Sequence, residues 1–138
     1  MKLLVTGATG YIGGLLVPRL LNVGHSVRCF SRNAQRLAGR FGAAEIVEGD
    51  VFDEARLREA FAGIDVAYYL VHSMSDSRRF GERDRKAAKL FGRVARESGV
   101  RRIVYLGGLG DDDANLSRHL ASRHEVGDIL RGSGVETI

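Results

Sequence analysis

The sequence predicts an α/β fold in which helices cover a parallel, doubly wound sheet. Two observations predict it: strand and helix patterns alternate along the whole chain, and the first strand runs directly into a glycine-rich loop that opens a helix. Repeated β–α units of this length form parallel sheets with right-handed crossovers. With 138 residues, the chain is long enough for one domain with a real core, which we predict over residues 1–138.

Glycines stand at three spaced positions after the first strand, Lys2–Thr6: Gly7, Gly10 and Gly13. The first glycine allows a tight turn, the second lets the backbone approach a phosphate, and the third lets the new helix pack against the strand. The amides and dipole of that helix favour an anion. No lysine follows Gly13, which excludes the phosphate loop of nucleotide triphosphatases. The pattern therefore predicts a dinucleotide-binding loop of the Rossmann type.

The first half of the chain then contains two further predicted strands and two predicted helices. Pro18 lies awkwardly inside the long first helix, and Gly24 closes it. The predicted elements are a helix Tyr11–Val23 with Ile12, Leu16, Leu20 and Val23 on one face, a strand Ser26–Ser31, a short helix Ala34–Arg40 capped by Asn33, and a strand Ala44–Glu48.

The second half continues the alternation with three helices and three strands. The fourth strand is nearly all apolar, as expected for a parallel strand covered on both faces. The predicted elements are a helix capped by Asp53 with Leu57 and Phe61 one turn apart, a strand Asp65–Val71, a helix Arg78–Ser98 burying Phe80, Ala87, Phe91 and Val94, a strand Arg102–Leu106, a helix Leu116–Gly132 and a strand Val135–Ile138. Because the chain stops inside its sixth strand, we expect a truncated part of a longer protein.

Composition restricts the classes of function. The chain has 21 basic and 17 acidic side chains, and the net charge of +4 suits an anionic small molecule as well as a nucleic acid. No stacking aromatics are interleaved with the basic residues of the long helix, so nucleic-acid binding is not predicted. The lone Cys29 and the lack of a targeting or long apolar segment predict a cytoplasmic protein without a membrane span. His119 and His124 are five residues apart, which does not favour a metal site.

Four short motifs are spread along the chain: Thr6-Gly7-Ala8-Thr9-Gly10-Tyr11-Ile12-Gly13, Gly49-Asp50-Val51, Tyr69-Leu70-Val71-His72-Ser73 and His119-Leu120-Ala121-Ser122-Arg123. In these motifs the chain resembles the short-chain dehydrogenase/reductase superfamily, and most of all its atypical, NmrA-like group of NAD(P)H-binding, epimerase-like proteins. The resemblance covers all 138 residues. It implies that a smaller substrate region follows in the family and is absent from this chain.

The resemblance also implies the cofactor contacts. Asp50 would accept a hydrogen bond from the adenine amino group and Val51 would form an apolar wall, although a turn aspartate before a buried valine explains both equally well. His72 would lie on the ribose and nicotinamide side, or it is a surface imidazole. The remaining implied contacts are Gly7, Thr9, Gly10, Tyr11, Ile12, Gly13, Leu70, Val71 and Arg123.

The end of the second strand bears on which dinucleotide is preferred. Folds specific for NAD place a carboxylate there, about 20 residues beyond the glycine loop, to accept from the ribose 2′-hydroxyl. This chain has Phe30-Ser31-Arg32 instead, and Arg32 can pair with a 2′-phosphate. We therefore predict that the chain binds NADP(H), with NAD as the alternative cofactor. The alternative for Arg32 is that it is a solvated loop arginine without a ligand. The missing acid also argues against an S-adenosylmethionine methyltransferase.

The catalytic residues of the family are replaced. Active short-chain reductases use a Tyr-x-x-x-Lys pair with a serine after the fifth strand, whereas this chain has His119 and Arg123 at that spacing and Gly107-Gly108 at the serine position. His119 can do acid–base chemistry, or it packs in the fold while Arg123 contacts ribose or phosphate. No catalytic residue is assigned.

Two functions follow from this sequence. One is an atypical NADP(H)-dependent oxidoreductase acting on an unknown small-molecule substrate, a carbonyl compound or a sugar nucleotide. The other is a regulator that binds NADP(H), catalyses nothing and reports the cofactor state to a protein partner. In related folds the helix that corresponds to Arg78–Ser98 can form a subunit interface. A homo-oligomer is therefore a further alternative for the state of assembly.

Overall fold

A computed structural model of the chain describes residues 1–71, 80–108 and 117–138, without the side chains of residues 80, 118 and 119. The strands within these ranges are β1 (Lys2–Thr6), β2 (Ser26–Ser31), β3 (Glu45–Glu48), β4 (Val66–Tyr69), β5 (Arg102–Tyr105) and β6 (Glu136–Thr137). The helices there are α1 (Tyr11–Asn22), α2 (Glu54–Phe61), α3 (Phe80–Glu97) and α4 (Arg118–Arg131), with a single 3₁₀ turn at Ala34–Arg36.

The strands form one six-stranded sheet in the order β3-β2-β1-β4-β5-β6. Every neighbouring pair is parallel, so all carboxyl ends meet at one edge. The strand order reverses between β1 and β4, which is the point where ligands bind in doubly wound sheets. The predicted fold class is confirmed.

Each face of the sheet carries its own hydrophobic core. On one face, α2, α3 and α4 pack against the strands, and the rings of Phe61 and Tyr69 lie 4.8 and 4.7 Å from the ring of Phe91. On the other face, α1 and the segment after the 3₁₀ turn cover β1 and β2 around Val17 and Cys29. Burial raises the pKa of the Cys29 thiol to about 11, so this cysteine is an inert part of the core.

The buried face of α1 differs from the predicted one. Ile12 and Val23 are 45% and 70% exposed, while Gly13 and Val17 are buried. The reason lies in the loop before the helix: Gly13 must contact the loop backbone, and this close approach turns the Gly13–Val17 side of α1 toward the sheet. The prediction of Ile12 and Val23 on the buried face was wrong.

The predicted short helix Ala34–Arg40 is also mostly wrong, since only the 3₁₀ turn Ala34–Arg36 forms. Its predicted cap is confirmed, because the Asn33 side chain accepts a hydrogen bond from the Arg36 amide. Gly39 then adopts a left-handed φ of +73°, which ends the helical path. The other predicted elements differ, within the described ranges, only at their ends and by one or two residues. The predicted helix starts at Arg78 and Leu116 and the side chain of Phe80 lie outside the described residues.

The scaffold contains a buried charged residue, Arg28, that was not predicted from the sequence. Arg28, in the middle of β2, donates from one guanidinium nitrogen to the carbonyl oxygens of Glu59, Ala60 and Ala62 at 3.2, 2.7 and 2.9 Å. Its Nε lies 2.9 Å from a carboxylate oxygen of Glu45. The last carbonyls of a helix lack intrahelical partners, although that of Glu59 also accepts from the Ala62 amide at 3.2 Å. Arg28 therefore caps the end of α2 and ties it to the sheet.

Candidate functional site

The predicted cofactor residues of the first four strands converge at the carboxyl edge of the sheet. Thr6 at the end of β1 lies in register with Phe30 of β2, and Val5 with Tyr68 of β4. Ser31 in turn lies in register with Glu48 of β3. The loops that follow these four strands therefore stand side by side, and they carry the predicted glycine, Arg32, Asp50 and Leu70 positions.

The glycine loop forms a tight cradle that has no room for a Cβ at its first and third glycines. Gly7 has a left-handed φ of +74°, and a Cβ there would lie 2.6 Å from the carbonyl oxygen of Leu70. A Cβ at Gly13 would lie 2.5 Å from the carbonyl oxygen of Gly7. The amide of Gly10 donates to that same oxygen at 3.0 Å and closes the turn. Both glycines are therefore required by backbone contacts.

The N-terminus of α1 presents an uncompensated positive end. Gly10 is its N-cap residue and supplies no side-chain hydrogen bond, and the first turn contains no acidic residue. By contrast, α2 is capped by Asp53 and α4 by Ser117. Because the first amides of a helix lack intrahelical partners, they are available here to an anion. Tyr11, which is 80% exposed, and Ile12 flank this end.

Thr6 fixes the β4 side of the site. Its hydroxyl donates to the carbonyl of Tyr68 at 2.9 Å and accepts from the amide of Leu70 at 3.3 Å. This bridge across the strand-order reversal holds Leu70 against the glycine loop. Leu70 and Val71 are half-buried, whereas His72 lies outside the described residues.

The predicted adenine contact is part of a tight turn. One carboxylate oxygen of Asp50 accepts a hydrogen bond from the amide of Phe52 at 3.0 Å. The backbone carbonyl of Asp50 accepts from the amide of Asp53 at 2.9 Å. Val51 packs half-buried against the core. These contacts are those of the turn aspartate and buried valine that the sequence left open. The adenine contact stays a prediction.

Arg32 lies directly after β2 at the same edge, with an exposed side chain. The turn beneath it is well held: the amide of Asn33 donates to the Ser31 hydroxyl at 3.2 Å and the amide of Ala34 to the Glu48 carboxylate at 2.8 Å. Within residues 1–71, 80–108 and 117–138, no carboxylate forms an ion pair with Arg32. No described carboxylate therefore neutralises the charge of Arg32, and this charge is available to a ligand.

A second arginine, Arg40, reaches the glycine loop and was not predicted. Its Nη1 donates to the carbonyl of Thr9 at 3.4 Å. Its guanidinium carbon lies 5.2 Å from the ring centre of Phe41, and its Nη2 fills the space that a side chain at Gly14 would take. The sequence signal was Gly14, a glycine inside a helix, where that residue is costly unless something approaches closely.

The α4 side of the edge carries Arg123. A cleft of about 340 Å³ lies between β5, β6 and α4, and Arg123, Gly107 and Gly108 line it. The hydroxyl of Tyr105 donates to the carbonyl of Arg123 at 3.0 Å, and burial raises the pKa of Tyr105 to about 12. Tyr105 therefore keeps its proton at neutral pH. The side chain of His119 lies outside the described residues.

The described residues offer neither a metal-binding cluster nor a helix that could cross a membrane. They contain no group of three or more histidine, cysteine, aspartate or glutamate side chains placed to hold a metal ion. None of their helices combines the length and the apolar character that crossing a bilayer requires.

Comparison with known sequences places these features in context. Residues 7–136 match the profile of a family described as NAD(P)H-binding. The chain is 34% identical over 115 residues to sterol demethylase protein B of Methylococcus capsulatus, covering 80% of this chain and 35% of that protein. It is 30% identical over 134 residues to the (4-alkanoyl-5-oxo-2,5-dihydrofuran-3-yl)methyl phosphate reductase of Streptomyces griseus, covering 96% and 44%.

An NmrA-like family domain-containing oxidoreductase of Aspergillus japonicus, himF, is 31% identical over 145 aligned residues, with 97% of this chain and 43% of the relative covered. Among solved structures, the triphenylmethane reductase of Citrobacter sp. superposes with a TM-score of 0.86 at 21% identity, over 99% of this chain and 47% of the reductase. At that identity the superposition shows the shared fold. The chain thus spans less than half the length of these proteins.

Proposed function

Since this chain belongs to the NAD(P)H-binding family, with NmrA-like relatives, we propose that it is the cofactor-binding domain of an atypical short-chain dehydrogenase/reductase-like oxidoreductase that favours NADP(H). The observation that carries the proposal is the tight cradle, in which Gly7 and Gly13 leave no room for a Cβ, together with the uncapped N-terminus of α1 that follows it. A pyrophosphate fits such a cradle because backbone amides and the helix dipole both favour an anion there.

The preference for NADP(H) rests on the loop after β2. This loop offers the exposed charge of Arg32 where an NAD-specific site would have a carboxylate for the ribose hydroxyl. The Citrobacter reductase with the same fold was solved in complex with NADP(H), which is consistent with this preference. In our proposal Arg32 pairs with the 2′-phosphate, Asp50 and Val51 face the adenine, and Leu70, Val71 and His72 lie beside the ribose and nicotinamide.

NADP(H) would supply hydride transfer, and the residues of this chain would hold and orient it. The substrate, a carbonyl compound or a sugar nucleotide, would be held by parts of the protein outside residues 1–138. Arg123 would contact the cofactor from α4. Tyr105 is not a proton donor in this scheme, because its hydroxyl is committed to the Arg123 carbonyl and its pKa is raised.

The alternative is an NADP(H)-sensing regulator without catalysis. The composition of α4 favours it, since Arg118–Arg131 contains neither tyrosine nor lysine. The serine position after β5 is occupied by Gly107 and Gly108. In the intact protein with its substrate, His119→Ala should abolish turnover if His119 is the acid of an oxidoreductase. If the protein is a sensor, the variant should keep cofactor binding and there should be no turnover to lose.

The first test is a fluorescence titration of this chain with NADPH and, separately, NADH. The chain contains no tryptophan, so the emission of the reduced nicotinamide can be followed without interference. We expect tighter binding of NADPH, and an Arg32→Ala variant should lose that preference. Arg19→Ala, at an exposed arginine in the last turn of α1, is the matched control.

A second variant tests the cradle itself. Gly13→Ala places a methyl group against the Gly7 carbonyl, so NADPH and NADH should both weaken to the same degree. Circular dichroism of the same samples checks that the fold is retained. Unchanged binding of both cofactors by folded Gly13→Ala would contradict a pyrophosphate at this loop.

A further inference from the structure

We propose that Arg40 is a second cation for the cofactor's 2′-phosphate and a determinant of the preference for NADP(H). The proposal rests on the proposed function, because it assigns a residue to the same dinucleotide site. It is carried by three observations: the contact of Arg40 with the glycine loop, the space that Gly14 leaves for it, and the lack of an acidic partner.

The first observation is a contact between segments far apart in the chain. Arg40 follows Thr9 by 31 residues, yet its Nη1 donates to the Thr9 carbonyl at 3.4 Å. Leu37 and Phe41 on either side of Arg40 are buried in the core beneath α1. These anchors fix the backbone of the segment, so the position of Arg40 beside the loop is set by packing.

The second observation is the glycine after the cradle. A Cβ built at Gly14 would overlap the guanidinium of Arg40, whereas a Cβ at Gly7 or Gly13 would meet backbone atoms. The glycine therefore leaves a recess on the first turn of α1, and the flat guanidinium group occupies it. This is a reason for glycine at position 14 that the dinucleotide loop alone does not provide.

The third observation is electrostatic. Within the described ranges no carboxylate forms an ion pair with Arg40, and its partner there is a backbone carbonyl. The arginines of those ranges that do form ion pairs are Arg28, Arg56, Arg58, Arg85, Arg93, Arg101, Arg102 and Arg131. A cation beside the positive N-terminus of a helix is unfavourable by itself. An anionic ligand that contacts Arg40 would offset this cost.

The position of Arg40 selects the 2′-phosphate over the pyrophosphate. Arg40 reaches the loop from the segment that follows β2, the same segment that carries Arg32. In dinucleotide folds the adenosine ribose lies at the end of this strand, while the pyrophosphate lies over the helix amides. A 2′-phosphate would thus lie between Arg32 and Arg40, and two guanidinium groups match its charge.

The experiment compares NADPH and NADH binding by the wild type, Arg40→Ala, Arg40→Lys and the control Arg19→Ala. We expect Arg40→Ala to weaken NADPH about tenfold and to leave NADH unchanged, since one charge-assisted contact is lost. Arg40→Lys should restore part of the affinity. Thermal melts of all four proteins establish that the variants are folded.

Gly14→Ala tests the same contact without removing the charge. The added methyl group displaces the guanidinium from its recess, so NADPH should weaken while NADH does not, and the double variant Gly14→Ala/Arg40→Ala should be no worse than Arg40→Ala alone. Equal weakening of both cofactors by Arg40→Ala would overturn the 2′-phosphate assignment in favour of the pyrophosphate. If Arg40→Ala binds both NADPH and NADH as tightly as the wild type does, Arg40 does not contact the cofactor and the proposal is overturned outright. If the wild type itself shows no preference for NADPH, the proposed NADP(H) function fails before any variant is compared.

Discussion

Two regions of this protein use arginine in opposite ways. On the surface of α2 and α3, the carboxylate of Glu54 pairs with Arg58 and with Arg93, at 2.8 Å each, and Glu97 pairs with the same two arginines. After β2, Arg32 and Arg40 have no such carboxylate among the described residues. The first region neutralises its charge within the protein, whereas we propose that the second leaves its charge for a ligand.

The difference shows why counting basic residues misleads. The long helix α3 holds most of the clustered positive charge in the sequence, and Arg85 and Lys86 there pair with Glu125 and Glu82. Pairing of this kind lowers the field that a nucleic acid would meet. Within the described residues Arg32 and Arg40 beside the glycine loop form no such pair, and the same holds for a few other arginines, among them Arg19 and Arg83. Arg32 and Arg40 differ from the other unpaired arginines by their position beside the glycine loop, and for Arg40 this is visible only in three dimensions.

The largest expected effect concerns Arg28, which differs from both regions because it is buried. We expect Arg28→Ala to destabilise the fold by about 3 kcal/mol, because the carbonyls of Ala60 and Ala62 lose their side-chain donor in a buried place. The Glu45 carboxylate would keep only Lys2, at 3.7 Å. Urea unfolding followed by circular dichroism measures this loss.

The matched control for Arg28 is Arg102→Ala, which removes an exposed pair with Glu136. Exposed pairs contribute little, so we expect a change within about 0.5 kcal/mol. If the two variants lose equal stability, Arg28 belongs with the surface arginines and its capping role is wrong.

An intermediate effect is expected from salt. Exposed charges that hold a 2′-phosphate are screened by added ions, so the ratio of NADPH to NADH affinity should fall several-fold between about 0.05 and 0.5 M sodium chloride. Titrations at three salt concentrations measure it. The Arg32→Ala/Arg40→Ala variant should show a flat ratio. If the ratio of NADPH to NADH affinity does not depend on salt in the wild type, Arg32 and Arg40 do not hold a phosphate with their charges.

The smallest effect is a pH dependence of the paired region. Hydrogen bonds from Arg93 and Arg58 lower the pKa of Glu54 from 4.5 to about 2. Since the folded value is depressed, the stabilisation is fully present above pH 4.5 and is lost as the pH falls toward 2. Glu54→Gln should remove this part of the acid-induced loss in thermal melts, and Glu48→Gln serves as the control. Identical pH profiles for Glu54→Gln and wild type would show that the surface network contributes nothing.

The sequence predicted the fold because its signals are local. Alternating strand and helix patterns and the spacing of Gly7, Gly10 and Gly13 each depend on a few neighbouring residues, and both describe the observed sheet. The errors arose where distant contacts decide. Ile12 is exposed because Gly13 approaches the loop, and the helix after Asn33 stops early because the chain must turn at Gly39 and bury Phe41.

The candidate site was predicted in the same uneven way. Its glycine loop and Arg32 lie next to strand ends and could be found from spacing alone. Arg40 could not, because its role depends on a contact with Thr9 across 31 residues. Arg28 did leave a signal, a charge inside an apolar strand, but its partners on α2 were not visible in the sequence. The cofactor contacts assigned to the glycine loop, Arg32, Asp50, Val51 and Arg123 all remain predictions.

Because Cys29 is buried, its reaction with a thiol reagent can be used to measure local opening of the sheet. This thiol is the single cysteine of the chain, it is fully buried in β2, and β2 pairs with β1 just below the glycine loop. A thiol reagent can react with it only when this part of the sheet opens, so the labelling rate measures the frequency of opening. A cofactor bound across the ends of β1 and β2 should slow the labelling in proportion to its occupancy. Kinetics at one native atom would then report ligand binding without any engineered label.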